Sequence, residues 1–206
     1  MFSYLKFSRF FSHVQEAGWY AEFLLPVVDS VPENCKILDI GTGSGKLLQM
    51  LSQQKSVKGV GVDTSEEMLM EAGKKLAGTD ITLERTTPGQ KLPFSDNSFD
   101  CITICNVLFN LDRPSSLFLL EEARRVVRQN GKIIVLSPSG TGGIRKLTKH
   151  FFSPRNWSMY IWYNATASRA RAWSINNYLP EFSRTHKLKY SKETVLKGFA
   201  IMETLW

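Results

Sequence analysis

Short apolar runs alternate with longer stretches of helical spacing, and the alternation repeats five times along the first two thirds of the chain. CKILDI (35–40) is apolar almost without a break and stops at glycine, as a strand buried on both faces does. KLLQMLSQQ (46–54) has helical spacing, and VKGVGVD (57–63) reads as a second short strand. TSEEMLMEAGKKLAG (64–78) follows as a helix, with Thr64 and Glu67 spaced as a capping box and Gly78 as its stop. ITLERT (81–86) alternates as a strand, KLPFSDNSFD (91–100) is a turn-rich loop, and CITICNVL (101–108) is a fourth strand. Asp112 and Pro114 open a helix expected to run through 115–129 and to end at Asn130-Gly131, before a fifth strand at 132–140. This rhythm predicts a parallel, doubly wound α/β sheet with right-handed crossovers.

After Gly143 the rhythm changes. Residues 144–165 are rich in aromatic rings, a helix-like stretch covers 168–182, and 185–194 and 198–206 read as two strands close enough to pair. There is no internal repeat, low-complexity tract or linker. The expectation is one domain over residues 1–206, with a helical N-terminal segment (1–30) and an insert at 144–165.

Composition narrows the class. The hydrophobic share of 43% over 206 residues suits a globular protein with a sizeable core. No apolar run approaches the ~20 residues of a membrane span. MFSYLKFSRFF (1–11) reads as an amphipathic segment rather than a signal peptide. Cys35, Cys101 and Cys105 all fall in apolar runs, so we expect small buried residues in a reducing compartment and a cytoplasmic protein. No metal-ligand spacing surrounds them. The net charge of +7 is uneven: Thr141 to Trp206 hold 11 Lys/Arg and 3 Asp/Glu, so the remaining residues come to −1. A basic C-terminal third suits solvated helix faces, an anionic substrate, a membrane surface or nucleic acid.

The stretch from Asp39 to Lys46 carries candidate chemistry. A Walker A loop needs a glycine where Ile40 stands and a hydroxyl where Leu47 stands. A dinucleotide fingerprint needs its third glycine one residue later than Gly45. What remains is D-x-G-x-G-x-G, with Asp39 ahead of Gly41, Gly43 and Gly45. Glycines permit close approach of backbone to ligand. An acid at the strand end disfavours a pyrophosphate and favours an ammonium or sulfonium, and helix N-terminal amides take a carboxylate. An amino acid linked to a nucleoside has all these parts. Asp63 ends the second strand 18 residues after Gly45, near the offset at which an acid accepts from ribose hydroxyls.

ILDIGTGSGKLL, GVGVDTSEEML, LPFSDNSFDCI and EEARRVVRQNGKIIVL, in that order and spacing, resemble the class I S-adenosylmethionine-dependent methyltransferases. Within them the likeness is to the ubiquinone/menaquinone-type branch of small-molecule enzymes, over about Val31 to Ser139. The resemblance implies a Rossmann-like α/β fold, a sheet of seven strands, mostly parallel with an antiparallel last strand, with the aromatic insert after the fifth strand. It implies that Asp39, Gly41, Thr42, Gly43 and Gly45 hold the methionine end of the cofactor. Asp63 would take the ribose, with Thr64 and Met68 beside it. Pro88 stands where the family has an Asp for the adenine amino group, leaving the backbone of Gly89 to reach the ring. Asn106 and Val107 would lie near the sulfonium. S-adenosylmethionine would leave as S-adenosylhomocysteine, with no metal required.

Many relatives carry a His after the fourth strand, where this chain has Phe109 and Asn110. Of the three histidines, His13, His150 and His186, His150 is the best-placed candidate base, and a mechanism by proximity alone is the alternative. The acceptor is expected to meet Phe7, Phe10, Phe11, Trp19 and Tyr20 of the N-terminal segment and the insert rings, above all Trp157, Tyr160 and Trp162. Rings at this density suit a flat or greasy small molecule, and Arg145, Lys146, Lys149 and Arg155 leave room for an anionic group on it. The leading expectation is methyl transfer to a small aromatic or lipid-like acceptor. Its rivals are an RNA or protein methyltransferase, suggested by the basic C-terminal third, and a non-catalytic binding protein of the same fold. ICNVL is a poor match to N-P-P-[YF], which weighs against base or glutamine N-methylation. Nothing in the sequence sets the oligomeric state.

Overall fold

The computed structural model describes residues 14–206. Phe7, Phe10, Phe11, His13 and the amphipathic stretch 1–11 lie outside the described residues. Seven strands, β1 (Lys36–Ile40), β2 (Lys58–Asp63), β3 (Ile81–Arg85), β4 (Phe99–Cys105), β5 (Val127–Pro138), β6 (Tyr190–Val195) and β7 (Ala200–Leu205), form one sheet in the order β3-β2-β1-β4-β5-β7-β6. The first five pair in parallel, and β7 runs antiparallel to both β5 and β6. The strand order reverses between β1 and β4, which opens a crevice beyond their carboxyl ends.

Alternate residues of each central strand enter different layers, which is why the strands read as unbroken apolar runs. Ile37, Cys101, Ile134 and Leu136 pack on one side, with α1 (Gly18–Ser30) and α2 (Lys46–Lys55). Leu38, Ile102, Ile104, Ile133 and Val135 pack on the other, with α4 (Arg113–Val126) and α7 (Leu179–Thr185). α3 (Glu66–Leu76) adds Ala72 and Leu76 to the first layer. The three thiols are free and buried, and burial pushes each of them up from its ordinary pKa.

The segment after β5 contains α5 (Gly143–Phe151), a 3-10 turn at Pro154–Asn156, and α6 (Trp157–Ile175). The break expected near residue 165 is absent, and α6 runs through it for 19 residues. Its first half places Met159, Trp162 and Tyr163 in one layer, and its second half places Ala170 and Trp173 in the other. α6 thus passes from one face of the sheet to the other, which demands apolar residues all round instead of a single stripe. That is why no helical face was legible.

Several boundaries differ from expectation, among them the fourth strand, which runs Phe99–Cys105 and stops short of the 3-10 turn at Leu108–Asn110. Ser65, not Thr64, caps α3: its hydroxyl accepts from the Met68 amide at 3.3 Å. α4 ends at Val126 rather than running on to Gln129, because the extended chain beyond it pairs with β4 through Val127 and Phe99. Asn130, at φ +69°, therefore kinks a strand instead of ending a helix. β6 starts at Tyr190, since Thr185 still belongs to α7.

One buried ion pair shapes the loop between β3 and β4. Arg125 meets both carboxylate oxygens of Glu122 at 2.6 and 2.9 Å and donates to the carbonyls of Leu92 and Phe94 at 3.0 and 2.7 Å. Glu122, held below the usual carboxylate range first by Arg125, also accepts from the Leu92 amide at 2.8 Å. Arg125→Met would strand a buried carboxylate and two carbonyls. We expect it to lower stability by about 2–4 kcal/mol, read as a lower urea midpoint. A loss under about 0.5 kcal/mol would show that the loop holds itself.

Candidate functional site

A cavity of about 510 Å³ occupies the crevice at the carboxyl ends of β1, β2 and β4. Its floor is the glycine loop between β1 and α2. Gly41, at φ +75°, sits so close to Val107 that a Cβ there would lie 2.3 Å from the valine Cγ2. Gly43, at φ +55°, meets Gln15 in the same way: a Cβ would fall 2.5 Å from its Nε2. The left-handed backbone favours glycine at both positions, and at Gly41 the close approach to Val107 adds to it.

Asp63 ties the loop to the second strand. One oxygen accepts from the Gly43 amide at 2.8 Å and the other from the Ser65 amide at 2.9 Å. The half-buried carboxylate still faces the cavity, with lone pairs to spare. Thr64 and Met68 line the same wall, as do Pro88 and Gly89 from the loop after β3. Beyond β4, Asn106 takes a left-handed conformation at φ +60°. Its amide donates to the Leu136 carbonyl at 2.8 Å and its side-chain NH₂ to the Tyr20 hydroxyl at 3.1 Å. Asn106 lines the cavity, while its Oδ1 is buried out of reach and has no hydrogen-bond partner among the described residues. Burial drives the Tyr20 phenol well above its ordinary pKa.

Asp39 does not reach the cavity. It is 2% exposed beneath the loop and accepts from the Thr103 hydroxyl at 2.7 Å. The expectation that it offers its charge directly to a cationic ligand is corrected: it is buried beneath the glycine loop. Burial pushes its carboxyl up to about 6, against the Thr103 and Thr42 hydroxyls, which hold it down. Thr42 and Gly45 are also outside the lining. Gly45 caps α2, where a Cβ would crowd Ala72 at 3.0 Å.

Of the insert rings, Trp162 lines the cavity, and Trp157 and Tyr160 do not. Trp157 lies half out in solvent, and Tyr160 packs against the core with α1. His150 is exposed on α5, away from the cavity, so the structure does not bring a base there. His186 meets Glu121 at 2.7 Å, also away from the lining. Trp19 and Tyr20 are core residues, and the Trp19 indole donates to the Ser158 hydroxyl at 3.0 Å.

Sequence reasoning missed two contributors. Gln15 is buried over the glycine loop and accepts from the Ser44 amide at 2.8 Å, and Lys75 reaches both Ser44 and Glu16. A lone glutamine 29 residues upstream carries no signal of this role. The far end of the cavity is built from Phe109, Leu111, Phe118 and Leu119, with Trp162, Ala165 and Arg169 from α6. Asp63 and Arg169, at opposite ends, are the charged side chains of the lining among the described residues.

Residues 37–131 match the model of a methyltransferase domain. That stretch holds the glycine loop, Asp63 and Asn106. Over that stretch the chain is similar to methyltransferases. It is similar to a ubiquinone/menaquinone biosynthesis C-methyltransferase from Rickettsia prowazekii, 34% identical over 146 residues, which are 66% of this chain and 56% of the relative. A demethylmenaquinone methyltransferase from Thermotoga maritima is 30% identical over 131 residues, 63% of this chain and 54% of that one. The chain thus spans about half the length of the curated relatives it matches. A solved S-adenosylmethionine-dependent methyltransferase from Aquifex aeolicus superposes with a TM-score of 0.61 over 88% of both chains at 18% identity, a likeness of fold.

The buried Asp39 has a consequence for pH. Its folded pKa, about 6, lies above the ordinary 3.8, so the fold prefers it protonated. Its stabilising contribution is full below about pH 4 and is lost as pH rises through about 6. Asp39→Asn keeps an oxygen for Thr103 and removes the titration. The stability of this variant relative to wild type should rise between pH 4 and pH 7.5, by up to about 3 kcal/mol, in parallel thermal melts. A gap that stays constant across that range would mean that Asp39 is not a buried titrating group.

Proposed function

We propose that this protein transfers a methyl group from S-adenosylmethionine to a small aromatic or lipid-like acceptor of the quinol type. The observation that carries the reading is one cavity with two unlike ends: an acid and bare backbone at one, aromatic rings and a guanidinium at the other. The residues present fit the cofactor. The glycine loop is a cradle that side chains would crowd, and Asp63 keeps carboxylate lone pairs for the cavity beside it. Asp63 would take the ribose hydroxyls, the loop from Gly41 to Gly43 and Asn106 the amino-acid end, and Pro88-Gly89 the base.

The bound cofactor supplies an activated methyl group on a sulfonium with a neutral leaving group. The chain's own task is to orient the nucleophile and exclude water. Trp162, Phe109 and Phe118 form a wall suited to a flat ring. With no imidazole in the lining among the described residues, the acceptor must be acidic enough to lose its proton readily. Arg169 would favour the ionised oxygen of such a ring. The names of the similar C-methyltransferases point the same way. Three unpaired thiols support a reducing, cytoplasmic setting.

The test is conversion of S-adenosylmethionine to S-adenosylhomocysteine with a panel of benzo- and naphthohydroquinones, some carrying a short prenyl tail. We expect turnover that depends on the acceptor. Asp63→Ala should weaken S-adenosylhomocysteine binding by about 1.5–3 kcal/mol, and Asp63→Asn by less. Normal cofactor binding without turnover on any hydroquinone would contradict the acceptor class. Wild-type affinity in Asp63→Ala would remove its assigned role.

A further inference from the structure

We propose that the α5–α6 hairpin is a docking surface for an anionic lipid bilayer, placed to pass a lipid-like acceptor to the cavity. The inference rests on the reading of the acceptor given above, and it extends that reading to where the acceptor is met. α5 and α6 are held as a hairpin: the Gly143 amide donates to the Tyr163 hydroxyl at 3.0 Å, and the Asn156 side chain donates to the Phe151 carbonyl at 3.0 Å. Leu147 and Phe151 anchor α5 in the core.

What the hairpin leaves outside is unusual for a surface. Phe152 is 81% exposed, Ile144 55%, Trp157 50% and Ile161 45%, all within 18 residues of one another. Phe152 and Trp157 flank the turn of the hairpin, Ile161 lies one turn further along α6 and Ile144 at the start of α5; this much exposed apolar surface on one hairpin marks an interaction face rather than scattered surface apolarity. Its charge says which kind. From Thr141 to Pro180 the chain carries six Lys/Arg and no Asp/Glu. Arg145, Lys146, Lys149 and Arg155 are exposed on the hairpin, and none forms an ion pair among the described residues. An apolar surface flanked by Lys149 and Arg155 near the turn, with Arg145 and Lys146 (the latter over the Phe199 ring at 5.6 Å) at the start of α5, is complementary to a negatively charged bilayer, whose interior takes the rings and whose head groups take the cations.

The same helix links this face to the cavity. Trp157, Ile161, Ala165 and Arg169 follow one another at four-residue spacing, so they form one stripe along α6, and all four are exposed. The first two belong to the outer face, and the last two line the cavity. An acceptor with a long apolar tail could keep the tail in the bilayer while its ring follows this stripe inward.

The experiment is vesicle flotation of the full chain with phosphatidylcholine alone and with phosphatidylcholine containing 30% phosphatidylglycerol. We expect at least tenfold stronger partitioning onto the anionic vesicles, reduced in high salt. Phe152→Ser with Ile161→Ser should cut it tenfold or more, and Lys149→Glu with Arg155→Glu should abolish the preference for anionic lipid. None of these residues lines the cavity, so melting temperature and S-adenosylhomocysteine affinity should hold in every variant. A wild-type chain that stays off the vesicles, or variants that float as it does, would overturn the proposal. So would tight binding to an RNA oligomer that the charge reversals abolish and the serine substitutions leave intact. Cofactor binding is read separately by calorimetry. Its absence in the wild-type chain would sink the methyltransferase reading and leave the flotation result standing.

Discussion

The two hydrogen bonds that the Asp63 carboxylate accepts, from Gly43 and from Ser65, hold the site in shape. One fixes the glycine loop that leaves β1, and the other fixes the start of α3 beyond β2. Both loops grow from the carboxyl edge of a parallel sheet, where the ladder ends with the Gly41 and Thr42 amides on the Val62 carbonyl, and Asp63 carries the tie one step further to Gly43. A carboxylate accepts several hydrogen bonds at once. Asp63 can therefore clamp the loops and still present lone pairs to the cavity.

The opposite wall solves a different problem. A cavity beyond the strand ends has to be roofed, and α6 does so by passing from one core layer to the other. Of the rings that let it do this, Trp162 on one side also lines the cavity, while Trp173 is buried in the other layer. Roofing the cavity and lining it with an apolar ring fall to the same helix. Between the walls, Tyr20, Gln15 and Asn106 bind the N-terminal region to the glycine loop and to the end of β4, so three distant segments meet at one place.

The parallel sheet and the glycine loop were legible in the sequence because their causes are local. Buried strands must be apolar throughout, and a left-handed loop backbone pressed against Val107 favours glycine. Asp63 was legible through its distance from that loop. Asp39 was recognised but misplaced, since a motif gives the position of an acid along the chain and says nothing of its depth. Gln15 was illegible because one polar side chain far upstream has no periodicity to betray it. The helix α6 was read as an aromatic insert followed by a separate helix, since a helix buried on changing sides carries no constant face. Trp157 and Tyr160 were grouped with Trp162 by nearness in sequence. At 100° per residue, neighbours on a helix point to different places, and only Trp162 of the three points into the cavity.

The central claim is that this crevice is built for a nucleoside-linked amino acid and not for a pyrophosphate. Isothermal calorimetry of one protein preparation against S-adenosylhomocysteine, NAD and ATP tests it most directly. The account predicts saturable one-site binding of S-adenosylhomocysteine, with NAD and ATP weaker by at least a hundredfold. Binding of NAD or ATP as tight as that of S-adenosylhomocysteine, or no binding of the latter, would contradict it.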